Sequence, residues 1–299
     1  MDIVIFQSAD PYRYARMLSE TSRTVTEYCR RQGHSYESYI GIKRGPWPWE
    51  ATYNRIIQLN ELMNRGFNGW AVYMDADAYI VDLDFDLRAY LSDKQHYAAV
   101  LTPSMATDND WDINAGVGLF NLGAPGGRRI VTEWNERFAA VSNERLAAAE
   151  DWIGSDDDQD LIQSMLRTNR EIMDSVYLQS TDLMNSSFGT FIRQHLRGYS
   201  PTFEHRMAAI TREVDAVMGG PDPHFEVAHA AGVQAAREAL HGSVVEAIYN
   251  GVLGRSADQG GAEHAVSHLR EHGVEAGVAD LIRQMLNSAE YADRGTVRP

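Results

Sequence analysis

With 299 residues, 44% of them hydrophobic, the chain can bury the core of one large domain plus a small appendage. Its 27 basic and 42 acidic residues leave a formal charge of -15, which excludes a nucleic-acid partner gripped through basic surface and a steady electrostatic hold on anionic lipid. One cysteine, Cys29, rules out an internal disulfide and fits a reducing compartment, and no window reaches the ~18 apolar residues that a membrane helix needs.

Ile3 to Phe6 reads as a buried first strand and not a signal peptide, having no basic segment and no cleavage site. The polar turn Gln7 to Pro11 follows, then helical spacing from Tyr14 to Arg31 with Gly33 as C-cap. Ser38 to Ile42 suggests a second strand, stopped by the loop Gly45-Pro46-Trp47-Pro48-Trp49. A helix over Ala51 to Met63 leads past Gly66 into the apolar run Trp70 to Met74. The order β-α-β-loop-α-β is that of a doubly wound α/β sheet. Strands over Tyr97 to Leu101 and Gly116 to Asn121, and helices over Arg128 to Ala140 and Asp156 to Leu166, continue it. A loop at Gly219 to Pro223 precedes a short apolar piece, Phe225 to Ala228. Beyond His241 the pattern shifts to short amphipathic helices over Val244 to Leu253, Gly260 to Glu271 and Val274 to Leu286, which puts a domain boundary near residue 240.

Asp75 and Asp77 end the run Trp70 to Met74, one residue apart. Strand side chains alternate, so carboxylates at i and i+2 on a fraying end can converge on one point, where like charges are costly without a cation. Hard oxygen donors suit Mg²⁺ or Mn²⁺, ions that keep positions open for substrate phosphates. The bland alternative is that both merely cap a turn. The apolar strand before them favours the ligand reading, because parallel sheets bind ligands at their carboxyl edge.

Several blocks in order carry a resemblance over residues 1 to 235: Ile3 to Asp10, Tyr28 to Tyr36, Tyr53 to Leu59, Met74-Asp75-Ala76-Asp77-Ala78, Ile113-Asn114-Ala115-Gly116, Asp158-Gln159-Asp160 and His229-Ala230-Ala231-Gly232. The chain resembles metal-dependent GT-A glycosyltransferases, specifically the galactosyl/mannosyltransferase family and its bacterial relatives, with glycogenin-like features. The resemblance implies a GT-A fold, Rossmann-like, with a mostly parallel twisted sheet and flanking helices over 1–240, followed by a small all-α domain over 241–299. It implies a retaining transfer of a hexose, galactose or glucose, from a UDP-sugar to a glycan or glycoconjugate acceptor, with the front-face route preferred because no carboxylate is uniquely placed as nucleophile. The different-class alternative is a catalytically silent carbohydrate-binding or scaffolding protein on the same fold. A phosphohydrolase with Asp75 as nucleophile is disfavoured by Tyr79, which stands where that motif wants Thr or Val.

Residue by residue, the resemblance makes Asp75, Asp77 and His229 the ligands of Mn²⁺ or Mg²⁺, with His229 otherwise an ordinary packed histidine. Gln7, Ser8, Ala9, Arg55, Ala76, Gly116 and Gly232 would line the UDP-sugar. Asn114 would aim its amide at sugar hydroxyls, with Gly116 leaving room for the ring; as a plain turn residue Asn114 would do neither. Asp158 and Gln159 would face the sugar opposite the diphosphate, Asp158 having an N-cap as its alternative role and Asp156 and Asp157 reading as solvated helix-start charges. Where the glycogenin-like relatives place a lysine after His-x-x-Gly, this chain has Ala235, leaving Arg237 or Arg55 to supply the charge.

Trp47 and Trp49 read as acceptor-stacking residues or as their loop's own anchor. Residues 244–294 resemble a small helical domain of unknown function appended to bacterial cell-surface and polysaccharide proteins, with Tyr249, Leu253, Leu269, Ile282 and Leu286 as its core and docking to a protein partner as its implied role. His264, His268 and His272 share a helix face and read as surface residues. Without the membrane anchor of the eukaryotic relatives, action in the cytoplasm, at most peripheral to the inner face of the membrane, is expected.

Overall fold

The computed structural model describes residues 1–149, 151, 156–219, 238 and 241–294. The chain divides into two compact units, Met1–Ala230 and Ala231–Pro299.

In the first unit a six-stranded sheet has the order β2-β1-β3-β6-β5-β7, built from β1 (Asp2–Ala9), β2 (Ser35–Ile40), β3 (Gly69–Asp75), β5 (Ala99–Pro103), β6 (Ile113–Asn121) and β7 (Val176–Leu178). β2, β1 and β3 run parallel; β6 enters antiparallel between β3 and β5, and β7 returns parallel to β5. A second sheet, β4-β9-β8, joins β4 (Ala78–Ile80), β9 (Ile192–Gln194) and β8 (Met184–Ser186).

The predicted strands are present, each a few residues longer or displaced. Buried on both faces, the central strands need no alternation, and their apolar runs show it. Val4 and Phe6 of β1 pack on one face with Tyr53, Ile56, Leu59, Trp134, Phe138 and Ile162. Ile3 and Ile5 pack on the other with Val25, Tyr28 and Cys29. The helices that supply these layers are α1 (Tyr14–Gln32), α2 (Asn54–Asn64), α3 (Leu87–Leu91), α4 (Pro125–Ala139), α5 (Asn143–Ala148), α6 (Asp158–Thr168), α7 (Arg170–Asp174) and α8 (Phe203–Met218). Gly33 ends α1 in the left-handed conformation at φ 65°, as its position predicts. Cys29 is a core residue, its thiol pushed up to about 12 by burial.

Trp47 and Trp49 fasten their own loop: their indole N–H groups donate to the carbonyls of Ala147 (3.1 Å) and Ala149 (2.9 Å). The segment 104–112 between β5 and β6 closes at its base, where the Ser104 N–H meets the Asp112 carbonyl at 2.8 Å. The Asp112 carboxylate takes hydroxyls from Ser104 (2.6 Å) and Thr107 (2.7 Å).

The second unit has a helix over 241–248 that runs into a π-turn, Tyr249–Leu253, ended by left-handed Gly254, then helices Gln259–His272, Val274–Leu286 and Ala289–Arg294. Tyr249, Leu253 and Leu269 are buried as predicted, but the last predicted helix is rotated by one residue. Leu281 and Met285 fill the core, while Ile282 lies half-buried and Leu286 is exposed. His268 pairs with Asp280 at 3.1 Å, and its ring lies 4.4 Å from that of His272, tilted by 51°.

Candidate functional site

The carboxyl ends of β1 and β3 form one edge, with Ser8 in register with Asp75. Asp75 is the last residue of β3, and the chain turns through Ala76 and Asp77 before β4 leaves for the second sheet. The turn is held from below. The Gln7 amide donates to the carbonyls of Asp75 and Ala78, 3.0 Å each, and accepts from the Tyr36 hydroxyl at 3.0 Å. The Thr21 hydroxyl reaches the Ala76 carbonyl at 2.9 Å. Gln7, read from sequence as a nucleotide contact, is fully buried here and its amide is engaged in building the turn. Ser8 next to it keeps a buried hydroxyl with no hydrogen-bond partner among the described residues.

The two aspartates converge. The Gln194 amide nitrogen on β9 lies 3.1 Å from Asp75 Oδ2 and 3.1 Å from Asp77 Oδ1. One donor touching an oxygen of each carboxylate marks a point where a single cation would bridge them, so the donor set fits a hard divalent ion. Among the described residues no cluster of three or more His, Cys, Asp or Glu is assembled. His229 and Gly232, with Ala235, Arg237 and the predicted piece Phe225 to Ala228, lie outside the described residues.

Arg55 on α2 reaches into the acidic edge. Only 4% exposed, it donates from Nη2 to Asp75 Oδ1 at 2.5 Å, pairs through Nε with Asp158 at 3.0 Å, and covers the Tyr73 ring at 4.2 Å. Its Nη1 also reaches the Ala115 carbonyl. The Tyr73 hydroxyl donates to the same Asp75 oxygen at 2.8 Å, and burial holds this phenol well above its usual range. Asp158 is buried, and desolvation pushes its carboxyl up to about 7 against the opposing pull of Arg55. Asp158 is not the N-cap of α6. Asp157 is, accepting from the Asp160 N–H at 2.8 Å, so one of the two charges read as merely solvated does the capping.

Asn114 and Gly116 stand at the same edge because β6 runs antiparallel and brings its first residues there. The Asn114 amide is tied on both sides, its Oδ1 accepting from Gly116 N–H (2.8 Å) and its Nδ2 donating to Gln194 Oε1 (3.3 Å). A Cβ on Gly116 would lie 2.2 Å from the Gln194 amide nitrogen, so the missing side chain makes room for Gln194. Gln159 accepts from the Ala115 N–H at 3.0 Å, and its NH₂ group has no partner among the described residues. Asn185 backs the site: 2% exposed and left-handed at φ 66°, it donates to the Asn114 carbonyl at 2.9 Å and to Thr102 Oγ1 at 2.5 Å.

Two groups at the acidic pair carry no sequence signal, Gln194 on a three-residue strand and Arg206 on an amphipathic helix. Arg206 pairs with Asp77 from α8.

No protein-family model and no curated protein matches this chain. Among solved structures, a glycosyltransferase involved in the glycosylation of the major capsid of PBCV-1 aligns over 71% of this chain and 100% of its own, with a TM-score of 0.50 at 14% identity. The fold is GT-A. The galactosyltransferase LgtC, solved in complex with donor and acceptor sugar analogues, aligns over 74% of this chain and 98% of its own at 14% identity and a TM-score of 0.43. GlyE of Streptococcus pneumoniae TIGR4 aligns over 71% of this chain and 63% of its own at 12% identity and a TM-score of 0.39. In this GT-A chain the acidic turn, Asn114 and the start of α6 share one edge of the sheet, where α/β folds bind ligands. Among the described residues no helix is long and apolar enough to cross a membrane.

Proposed function

We propose that the chain is a glycosyltransferase that moves a hexose from a UDP-sugar, galactose or glucose, to a glycan or glycoconjugate acceptor with retention of configuration. The observation that carries this reading is the convergence of Asp75 and Asp77 on one donor atom at the ligand edge of a GT-A sheet. Asp75 and Asp77, with His229 assigned from sequence alone, would hold Mn²⁺ or Mg²⁺. A divalent ion bound there supplies Lewis-acid neutralisation of the departing diphosphate.

The chain's own groups do the rest. The orphaned Ser8 hydroxyl, with Ala9 and Ala76 beside it, is available to the nucleotide. The free NH₂ group of Gln159 can donate to a sugar hydroxyl while its carbonyl stays locked on Ala115 N–H. Arg55 keeps Asp158 and Asp75 apart as charges, so that Asp158 stays beside the sugar face and Asp75 stays at the turn. Residues 1–240 form the transferase domain in this reading and 241–299 an accessory helical domain that docks a protein partner. The setting is the cytoplasm, at most against the inner face of the membrane.

The test is UDP release from a panel of UDP-hexoses with Mn²⁺, with Mg²⁺ and with EDTA, repeated with Asp75→Asn and Asp77→Asn. Turnover with one UDP-hexose, abolished by EDTA and cut at least ~100-fold by either substitution, is expected. Donor binding without turnover under every condition would leave a silent sugar-binding protein instead.

A further inference from the structure

The acidic pair already has cations of the chain's own. Arg55 pairs with Asp75 and Asp158, and Arg206 pairs with Asp77. With the Tyr73 hydroxyl and the Gln194 amide added, each oxygen of both carboxylates has a donor. Asp75, Asp77 and Asp158 against two guanidinium groups leave a single uncompensated negative charge, a weak attraction for a dication that must also lose water.

The two arginines are not equivalent. Arg55 has a second carboxylate, Asp158, and keeps a counter-charge if Asp75 turns to another ligand. Arg206 is 4% exposed, and its other partners are neutral: the His195 carbonyl, 2.6 Å from Nε, and the Tyr14 hydroxyl, 3.2 Å from Nη1. Among the described residues it pairs with no carboxylate but Asp77. Releasing Asp77 would strand a buried guanidinium, a cost that falls on whatever takes Asp77 away.

We propose that Arg206 is an internal counter-ion that competes with the divalent cation for Asp77, setting the metal affinity of the site and coupling metal occupancy to α8. The inference rests on the metal-binding reading above. If the pairing leaves Asp77 free about a tenth of the time, the apparent affinity for metal is reduced about ten-fold. Arg206 also ties α8 to the rest of the first unit, through the strand-end carbonyl of His195 and through Tyr14 at the start of α1. Metal that takes Asp77 from Arg206 therefore removes an ion pair that anchors α8, the helix that precedes His229 in the chain.

The experiment is a Mn²⁺ titration of the full chain without nucleotide, read by the electron paramagnetic resonance of free Mn²⁺, for wild type, Arg206→Gln and Arg206→Lys. The Gln variant is expected to bind Mn²⁺ about ten-fold more tightly than wild type and to gain more melting temperature from Mn²⁺, with the Lys variant between them. Equal or weaker Mn²⁺ binding by Arg206→Gln overturns the inference while leaving the metal site standing. Absence of Mn²⁺ binding in every protein removes the metal site and the inference together. Should the Gln variant fail to fold, wild-type crystals with Mn²⁺ decide: Arg206 displaced from Asp77 supports the competition, and Mn²⁺ on both aspartates with Arg206 still paired overturns it.

Discussion

Replacing Arg55 by methionine keeps the apolar stem of the side chain and removes its charge. Two carboxylates then lose their partner, Asp158 at 6% side-chain exposure and Asp75 at 27%. Breaking a buried pair from one side costs about 3–5 kcal/mol, because the remaining charge stays desolvated, and the lost cation–π contact with Tyr73 overlaps that cost and does not add fully to it. Taking about 4 kcal/mol, and about 2–4 °C per kcal/mol for a unit of this size, the melting temperature should fall by about 8–16 °C at pH 8. The deficit has a pH signature. Folded Asp158 titrates at about 7 against an ordinary 3.8, and loss of Arg55 raises it further, so the variant recovers stability as pH falls and protons neutralise the stranded carboxyl. Scanning calorimetry at pH 8 and pH 5 should show the gap narrowing at pH 5. Arg55→Lys should fall between, since one ammonium cannot serve both carboxylates with fork geometry. A methionine variant melting within about 2 °C of wild type at pH 8 would refute the counter-ion role.

Glu50 is fully buried, accepts the Trp47 N–H at 2.5 Å, and is pushed by burial up to about 7 from 4.5. Its folded value exceeds its unfolded one, so its contribution is intact below about pH 4.5 and is lost as pH rises through 7; Glu50→Gln should therefore be more stable than wild type at pH 8, by about 1–3 kcal/mol in urea melts, and not at pH 5. Gly116→Ala should displace the Gln194 amide and lower kcat/KM by at least about ten-fold with the fold retained by circular dichroism, since the added carbon meets that amide at 2.2 Å. A chain cut after residue 240 is expected to keep Mn²⁺-dependent nucleotide binding by thermal shift, as an accessory role for the remainder requires.

The sheet was legible because its strands are buried on both faces and therefore apolar throughout, as in Ile3 to Phe6 and Trp70 to Met74. Asp75, Asp77, Asn114 and Gln159 were visible because each sits in a short ordered motif beside a strand or helix end. Other parts were hidden for physical reasons. The strands β4, β8 and β9 have three residues each, too few for any period to show, and they carry Gln194 and position Asn185. Arg206 is one of several charged residues on α8, a helix whose sequence alone does not mark which of them is buried. Arg55 was expected at the site, but its pairing was not legible, because arginine burial is decided by distant carboxylates, here Asp75 and Asp158, which local sequence does not reveal. In the second unit a one-residue error of phase moved Leu286 into the predicted core in place of Met285, the smallest error a 3.6-residue period allows.

The clasp between Ser104 and Asp112 has an evolutionary consequence. Because the hairpin is pinned where it leaves β5 and enters β6, the exposed positions 105, 106 and 108 can change chemistry without shifting the register that places Asn114, whereas Thr107 holds Asp112 and Trp111 packs on the core. Sequence change is then tolerated best at that exposed tip, where Met105 is 73% exposed, and least at the clasp itself.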